Sequence, residues 1–414
     1  MILAFSVTRM NREIVDSLLA GMLDVGEGVS DLLFIAGKPP LVETHGRLQD
    51  FPIDTPDSVL DATLIESIAR LIIDGNERLM NDLTTKGSCD CSYAIEGRAR
   101  FRVNIFKQSG RFGIVMRKLE SDIPTLEKLG LSPVFHEMIK EKNGIIFVTG
   151  ATGSGKTTTL AAMLNELNRT QDIHVLTLED PIEFVHPHKR AAFSQREMGK
   201  DFFSFADGLR AALRQAPKVI LVGEIRDRET MEIAMTASET GHVVFTTLHT
   251  INAGQTISRI LGMFSREEEP QLRQRLAETV RYIVSQRLVN ALHGGRLMVS
   301  EIMGSSLRTR ETILYGEAEG KTYQEIIEAG STLGWHSFDQ SLLKAFEAGQ
   351  ISEESAMLYC SNKGKFRREL DMAMKRLGVG ATEAPSGLKL NTGVSEPAMV
   401  PDEGQSRARL VRPR

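Results

Sequence analysis

The sequence predicts an α/β protein built from an α+β N-terminal domain and a second domain around a mostly parallel sheet. Three observations predict it. Between Cys89 and Leu119, three segments alternate apolar and polar residues, the pattern of an antiparallel sheet with one covered face. From Asn143 onward, short apolar runs are spaced by helical patterns, which is the order of βαβ units. One of those runs leads directly into a glycine-rich loop and then a helix.

The N-terminal elements follow in order. Ile14, Val15, Leu18, Leu19 and Met22 fall at helical spacing within 11–23. Ser30 to Ile35 reads as a strand, Gly37-Lys38-Pro39-Pro40 as a turn, and Leu41 to Leu48 as a second strand. Leu64–Ile73 has helical periodicity. Cys89–Ile95, Ala99–Gln108 and Phe112–Leu119 are the three sheet strands, so 1–118 forms one domain. Segment 119–133, with two prolines and a glycine, reads as the linker.

The second domain, 134–300, has strands at Ile145–Thr149, Val175–Leu178, Val219–Val222 and Val243–Thr247. Residues 270–290, 306–315 and 337–376 read as helical, so 301–378 forms a helical C-terminal region. After Gly378 the chain turns to Gly, Pro, Ser and Thr without apolar period, and 379–414 reads as a disordered tail.

Composition narrows the function classes. With 41% hydrophobic and 25% charged residues the chain reads as globular, and a net charge of −4 points to no nucleic acid or anionic membrane. Three cysteines are too few for a structural zinc site or a disulfide scaffold, and suit a reducing cytoplasm. The apolar start, Met1 to Val7, lacks a preceding basic region and does not read as a signal peptide. No apolar run approaches the roughly 18–20 residues that span a bilayer, so a membrane link would come through a partner.

The motif Gly150-Ala151-Thr152-Gly153-Ser154-Gly155-Lys156-Thr157 fits G-x-x-x-x-G-K-[ST] in full, between a strand and a helix. Its glycines let the backbone wrap closely around phosphate, and the loop N–H groups and helix N-terminus aim positive charge at the anion. Lys156 is placed to reach the β- and γ-phosphates and the Thr157 hydroxyl to ligate Mg²⁺, while Thr158 belongs to the nucleotide-binding set. A nucleotide with Mg²⁺ is therefore the expected ligand, and kinases and GTPases share this loop.

A phosphate loop alone does not imply hydrolysis; acids at strand ends do. Val219–Val222 leads through Gly223 to Glu224, where a parallel sheet presents catalytic side chains. Glu224 is expected to orient or deprotonate the attacking water. Many phosphate-loop ATPases carry Asp-Glu at this point; Gly-Glu leaves the metal to Thr157, phosphate and water, with a second acid in support. Glu179, after Val175–Leu178, is that acid; Asp180 and Glu183 could equally cap or pair locally. His242 and His249 flank one strand, roughly 23 Å apart if extended. At most one can sense the γ-phosphate, and His249, at the end that carries the acids, is preferred. Arg98, Arg100 and Arg102 share one strand face by alternation and form an arginine cluster.

These motifs together resemble the secretion ATPase superfamily, and within it the PilT/PilU family of type IV pilus retraction ATPases. The resemblance rests on Walker A at 150–157, TLEDPIEF at 177–184, VGEIRDRET at 222–230 and ETGHVVFTTLHT at 239–250. FRVNIFKQ at 101–108, REMG at 196–199, LRAALRQAP at 209–217, Ile283–Leu288 and FDQSLLKAFEAGQIS at 338–352 support it, so it spans roughly 11–377. It implies a PAS-like N-terminal domain, a RecA-like ATPase domain with ATP bound between the two, and a homohexameric ring. The ring would dock under an inner-membrane pilus platform protein, in the cytoplasm, and drive pilus retraction and twitching motility. The resemblance also implies that Arg100, Arg102 and Arg117 contact nucleotide phosphate.

The chain departs from the family pattern at three places. The Ser-Asp-Leu-His-Leu stretch is Ser30-Asp31-Leu32-Leu33-Phe34, Pro-Asp before the catalytic strand is Pro217-Lys218, and the retraction motif is blurred to Ser306–Leu314. These departures fit an accessory, PilU-like or regulatory subunit acting beside a paralogous retraction ATPase. A pilus extension or type II secretion ATPase ranks behind, because such relatives usually carry an extra N-terminal domain and a four-cysteine zinc site.

Overall fold

The computed structural model describes residues 10–54, 58–120 and 122–378. The tail expected at 379–414 lies outside them.

The N-terminal unit runs α1 (Arg12–Leu23), β1 (Val29–Ile35), β2 (Leu41–Thr44), β3 (Arg47–Asp50), α2 (Ala62–Ile73), α3 (Glu77–Thr85), β4 (Ser88–Ile95), β5 (Ala99–Gln108) and β6 (Arg111–Leu119). Asn11 caps α1 by accepting the Ile14 N–H, and the helix buries Val15, Leu18, Leu19 and Met22. The six strands form one antiparallel sheet in the order β3-β2-β1-β6-β5-β4. One face packs on α1 to α3 around Phe34, Phe101, Val103 and Ile105. Because side chains alternate, the other face carries Asp31, Arg102 and Arg117 toward the second unit.

One expectation needs correction here, and one element was unforeseen. Leu41 to Leu48 is not one strand but part of a hairpin, turned at His45 (φ 53°) and Gly46 (φ 78°) with Thr44 opposite Arg47. Two successive positive φ angles are what a tight two-residue hairpin turn requires. Helix α3 was not anticipated; it is a short helix whose buried apolar residues are only Leu79 and Leu83.

The second unit runs α4 (Val134–Met138), β7 (Gly144–Thr149), α5 (Lys156–Thr170), β8 (His174–Glu179), β9 (Ala192–Glu197), α6 (Phe205–Ala212), β10 (Val219–Val222), α7 (Arg228–Glu239), β11 (Val243–Leu248), α8 (Ala253–Leu261), α9 (Glu269–Thr279), β12 (Val280–Asn290) and β13 (Arg296–Gly304). Its sheet has the order β13-β12-β7-β11-β10-β8-β9, parallel except for the β12–β13 hairpin. Both faces are buried. Ile145 and Phe147 of β7 face the core under α6 to α9, while Ile146 and Val148 face α4 and α5.

The helix expected over 270–290 ends at Thr279, and Val280–Asn290 is strand β12. Val280, Ile283 and Val284 do recur at helical spacing. They are β-branched, however, and the edge of β7 offers a full set of backbone partners, so tertiary pairing overrides the local period. The chain then continues through α10 (Leu307–Tyr315), α11 (Tyr323–Ala329), α12 (Phe338–Glu347), α13 (Glu353–Tyr359) and α14 (Lys363–Leu377). The last three pack on β12 and β13 around Phe338, Leu342, Phe366 and Leu370. Among the described residues no helix is long and apolar enough to cross a membrane.

Candidate nucleotide site

A cleft of about 680 Å³ lies between the polar face of the N-terminal sheet and the C-terminal ends of the parallel strands. The phosphate loop forms one wall. Gly150, Gly153 and Gly155 have φ of 145°, 77° and 88°, and Gly155 opens α5 without a side-chain cap. The N-terminal N–H groups of α5 are thus left for an anion. A Cβ on Gly150 would stand 2.5 Å from Ser154 Oγ and 2.6 Å from the Gln286 carbonyl, so β12 sets how tightly the loop wraps.

Lys156 is buried, and its Nζ donates to the carbonyls of Gly150 (2.9 Å) and Ala151 (3.0 Å). Burial holds its pKa below the usual value, against the nearby Glu224 charge. Ser154 Oγ is buried without a hydrogen-bond partner, an orphan polar atom inside the loop. Thr152, Thr157 and Thr158 line the cleft, with Thr157 exposed.

The acids converge at the strand ends. Gly223 donates its N–H to the Leu178 carbonyl at 2.8 Å, and a Cβ there would come within 3.1 Å of that oxygen. That close approach suits glycine at this position. Glu224 follows, its carboxylate paired with Arg226 and 3.4 Å from His249 Nε2. Glu179 is 6% exposed and accepts from Thr177 Oγ1 (2.6 Å) and Gln195 Nε2 (3.2 Å). Burial pushes its pKa up to about 7, because ionisation there loses solvation. Asp180 and Glu183 also line the cleft.

From the N-terminal sheet, Arg102 and Arg117 reach the cleft. Arg117 Nε donates to Asp31 Oδ1 at 2.9 Å. The remaining expected residues are placed elsewhere. Arg100 does not line the cleft; its guanidinium pairs with Glu197 and its Nε donates to the Ile182 carbonyl at 3.1 Å. Arg98 sits in the β4–β5 turn, not on the strand, and binds Asp24 and the Ala20 carbonyl. His242 lies at the opposite end of β11, its Nδ1 2.9 Å from the Ala237 carbonyl. The site therefore unites Lys156, Thr157, Glu179, Glu224, His249, Arg102 and Arg117, and leaves out His242 and Arg100.

Sequence reading missed Asp31, Asp90, Asn104 and Arg226. Asp90 and Asn104 are register partners bonded at 3.2 Å on the cleft face. The signal for Asn104 was available, since it follows Arg100 and Arg102 at period two. Arg226 sits inside the quoted catalytic motif.

The model of the Type II/IV secretion system protein family matches residues 89–295, half of the chain, and covers the phosphate loop and both acidic strands. The chain belongs to this family. Within the type II/IV secretion family it is 40% identical over 332 residues to the type IV pilus retractation ATPase PilT of Pseudomonas aeruginosa, covering 80% of this chain and 94% of that one. It is 33% identical over 383 residues to the type IV pilus ATPase PilU of the same organism, covering 91% of this chain and 97% of the relative. Its fold matches the crystal structure of the pilus retraction motor PilT with bound ADP at a TM-score of 0.74 and 37% identity, over 86% of this chain and 99% of that chain. The PAS-like and RecA-like architecture of the retraction ATPases is thus the architecture of this chain.

Proposed function

We propose that this chain hydrolyses ATP as a subunit of a homohexameric ring that powers type IV pilus retraction, docked on an inner-membrane platform protein. The observation that carries the reading is the cleft itself. It opposes a phosphate loop and the catalytic-strand acid on one domain with Arg102 and Arg117 on the other.

The residues divide the work. The loop N–H groups and Lys156 bind the β- and γ-phosphates; Lys156 must first give up the Gly150 and Ala151 carbonyls. Glu224 orients the attacking water and takes its proton, with His249 beside it. Its contact with Arg226 must open before the carboxylate meets water. Arg102 and Arg117 bind phosphate from the facing domain and tie hydrolysis to domain closure.

Mg²⁺ fits the site as a nucleotide-borne ion. Among the described residues no group of three or more His, Cys, Asp or Glu side chains could hold a metal. Thr157 is exposed on the cleft, and Glu179 could reach an ion there through water, so phosphate and water complete the ligand set. Bound there, Mg²⁺ supplies charge neutralisation on the β- and γ-phosphates. We assign 1–118 as the nucleotide-closing domain, 119–133 as its linker, and 134–300 with 301–378 as the ATPase body.

A second reading is an accessory, PilU-like subunit with little turnover of its own. The departures at Pro217-Lys218 and Ser306–Leu314 support it, and a PilU relative aligns over 91% of this chain. Steady-state Mg²⁺-ATPase activity of the purified protein, with light scattering, tests both. A hexamer with turnover lost in Lys156→Ala and reduced at least about 100-fold in Glu224→Gln supports the motor. A hexamer that binds ATP but barely hydrolyses it selects the accessory role. Wild-type turnover in Glu224→Gln removes Glu224 as the base.

A further inference from the structure

We propose that Glu197 is a positioning residue: it latches the N-terminal domain to the acidic loop after β8 and so sets the rate of turnover rather than the affinity for nucleotide. This rests on the ATPase reading above.

Glu197 ends β9, the edge strand of the parallel sheet, and is 3% exposed. Its carboxylate collects four donors from both domains. Ser92 Oγ on β4 donates at 2.6 Å, and the Arg100 guanidinium on β5 pairs with it. Lys200 Nζ lies at 2.8 Å, and the Ile182 backbone N–H at 3.2 Å. Burial alone would push the carboxyl pKa up, but the Lys200, Ser92 and Arg100 contacts together hold it below the usual value. The latch is therefore ionic at neutral pH.

The network ends on the acidic loop after β8. Ile182 gives its N–H to Glu197 and its carbonyl to Arg100 Nε, so both of its backbone groups are committed to the latch. Ile182 lies three residues after Glu179. Glu197 is also the register partner of Glu179 across the β8–β9 ladder, and the next residue, Met198, donates its N–H to the Glu179 carbonyl at 2.8 Å. Gln195, two residues before Glu197, donates to the Glu179 carboxylate. Displacing Glu197 thus moves the backbone that aims Glu179.

A second grip holds the same segment. Asn76, the N-cap of α3, donates Nδ2 to the Gly199 carbonyl at 3.0 Å. Gly199 has φ 81°, and a Cβ there would stand 2.1 Å from the Arg78 guanidinium. Residues 197–200 are clasped between α3 on one side and β4–β5 on the other. Glu197 and Arg100 both lie outside the cleft lining, so the contact acts through Ile182 and Glu179 rather than on nucleotide.

The test combines kinetics and hydrogen exchange on the full chain. In Glu197→Gln, kcat is expected to fall about tenfold or more, as displacing a supporting group does, with the KM for ATP within about twofold. Without nucleotide, amide exchange should rise in 88–102 and 180–186 together. Ser92→Ala, which removes one donor, should give the same pattern more weakly, and Glu197→Asp should recover part of kcat. If exchange rises only within 192–201 and kcat holds, the latch is overturned and the ATPase reading stands. If the wild-type protein shows no turnover, the ATPase reading falls, and the joint exchange of 88–102 and 180–186 alone decides the latch.

Discussion

Arg102 on β5 and Arg117 on β6 are direct register partners across an antiparallel ladder, and both line the cleft opposite the phosphate loop. Like charges placed opposite one another disfavour the folded chain. Asp31 relieves Arg117, whereas among the described residues Arg102 forms no ion pair. An arrangement that costs stability without a ligand suits a site that meets an anion. Arg102→Ala should leave the melting temperature of the nucleotide-free protein unchanged or raised. Losing a charged phosphate contact should raise the KM for ATP about 10- to 100-fold. Thermal unfolding and steady-state kinetics on one preparation check both; a lower melting temperature with unchanged KM would make Arg102 a structural residue.

Gly150→Ala probes the loop from the other side. At φ 145° a side chain is strained whatever the space, and its Cβ would press on Ser154 Oγ and the Gln286 carbonyl of β12. The backbone contact cannot be relieved by a rotamer. Nucleotide binding, read by a fluorescent ATP analogue, should be lost, and the protein destabilised by about 1–3 kcal/mol. Retained binding would show that β12 does not set the loop.

The phosphate loop was legible because glycine, lysine and threonine are obligatory at their places, and β7 and α5 flank it as the pattern demands. Strands β8, β10 and β11 were legible as apolar runs buried on both faces. What was hidden depends on distant partners. Val280–Asn290 has a helical period, and only the open edge of β7 makes it a strand. β9, Ala192–Glu197, is an edge strand with mostly polar residues and carries no apolar run to announce it. That is why Glu197, though inside the quoted REMG stretch, was given no role, and with it the reason Arg100 turns away from the cleft: alternation gives the face of a strand, not the partner waiting there.

His186 gives the chain an acid-sensitive point. Its ring stacks on Phe193, centroids 4.7 Å apart at 15°, and Nδ1 is buried without a partner. Burial, then the Lys189 charge, pushes its pKa down to about 4 from an ordinary 6.5. A depressed histidine pKa means the unfolded chain takes the proton first. The stabilising contribution is whole above pH 6.5 and is lost as pH falls through 4, a difference of about 3 kcal/mol. His186→Phe, which keeps the stack, should flatten the fall in melting temperature between pH 6.5 and 4. Parallel curves for variant and wild type would locate the acid sensitivity elsewhere.

Lys218, one of the three departures from the family pattern, should prove silent in catalysis. It precedes β10, and its backbone N–H bonds the His174 carbonyl at the start of β8, while Val243 at the start of β11 bonds the Lys218 carbonyl. All three mark the N-terminal ends of their strands, and Glu224 lies at the other end. Six residues at about 3.3 Å each put the two roughly 20 Å apart. Across that distance an exposed charge is screened by ordinary salt. Lys218→Asp should therefore keep kcat and KM within about twofold. A large change, measured at physiological ionic strength, would mean that this edge of the sheet faces a neighbouring subunit or partner, and the departure at Pro217-Lys218 would then mark an interface rather than the site.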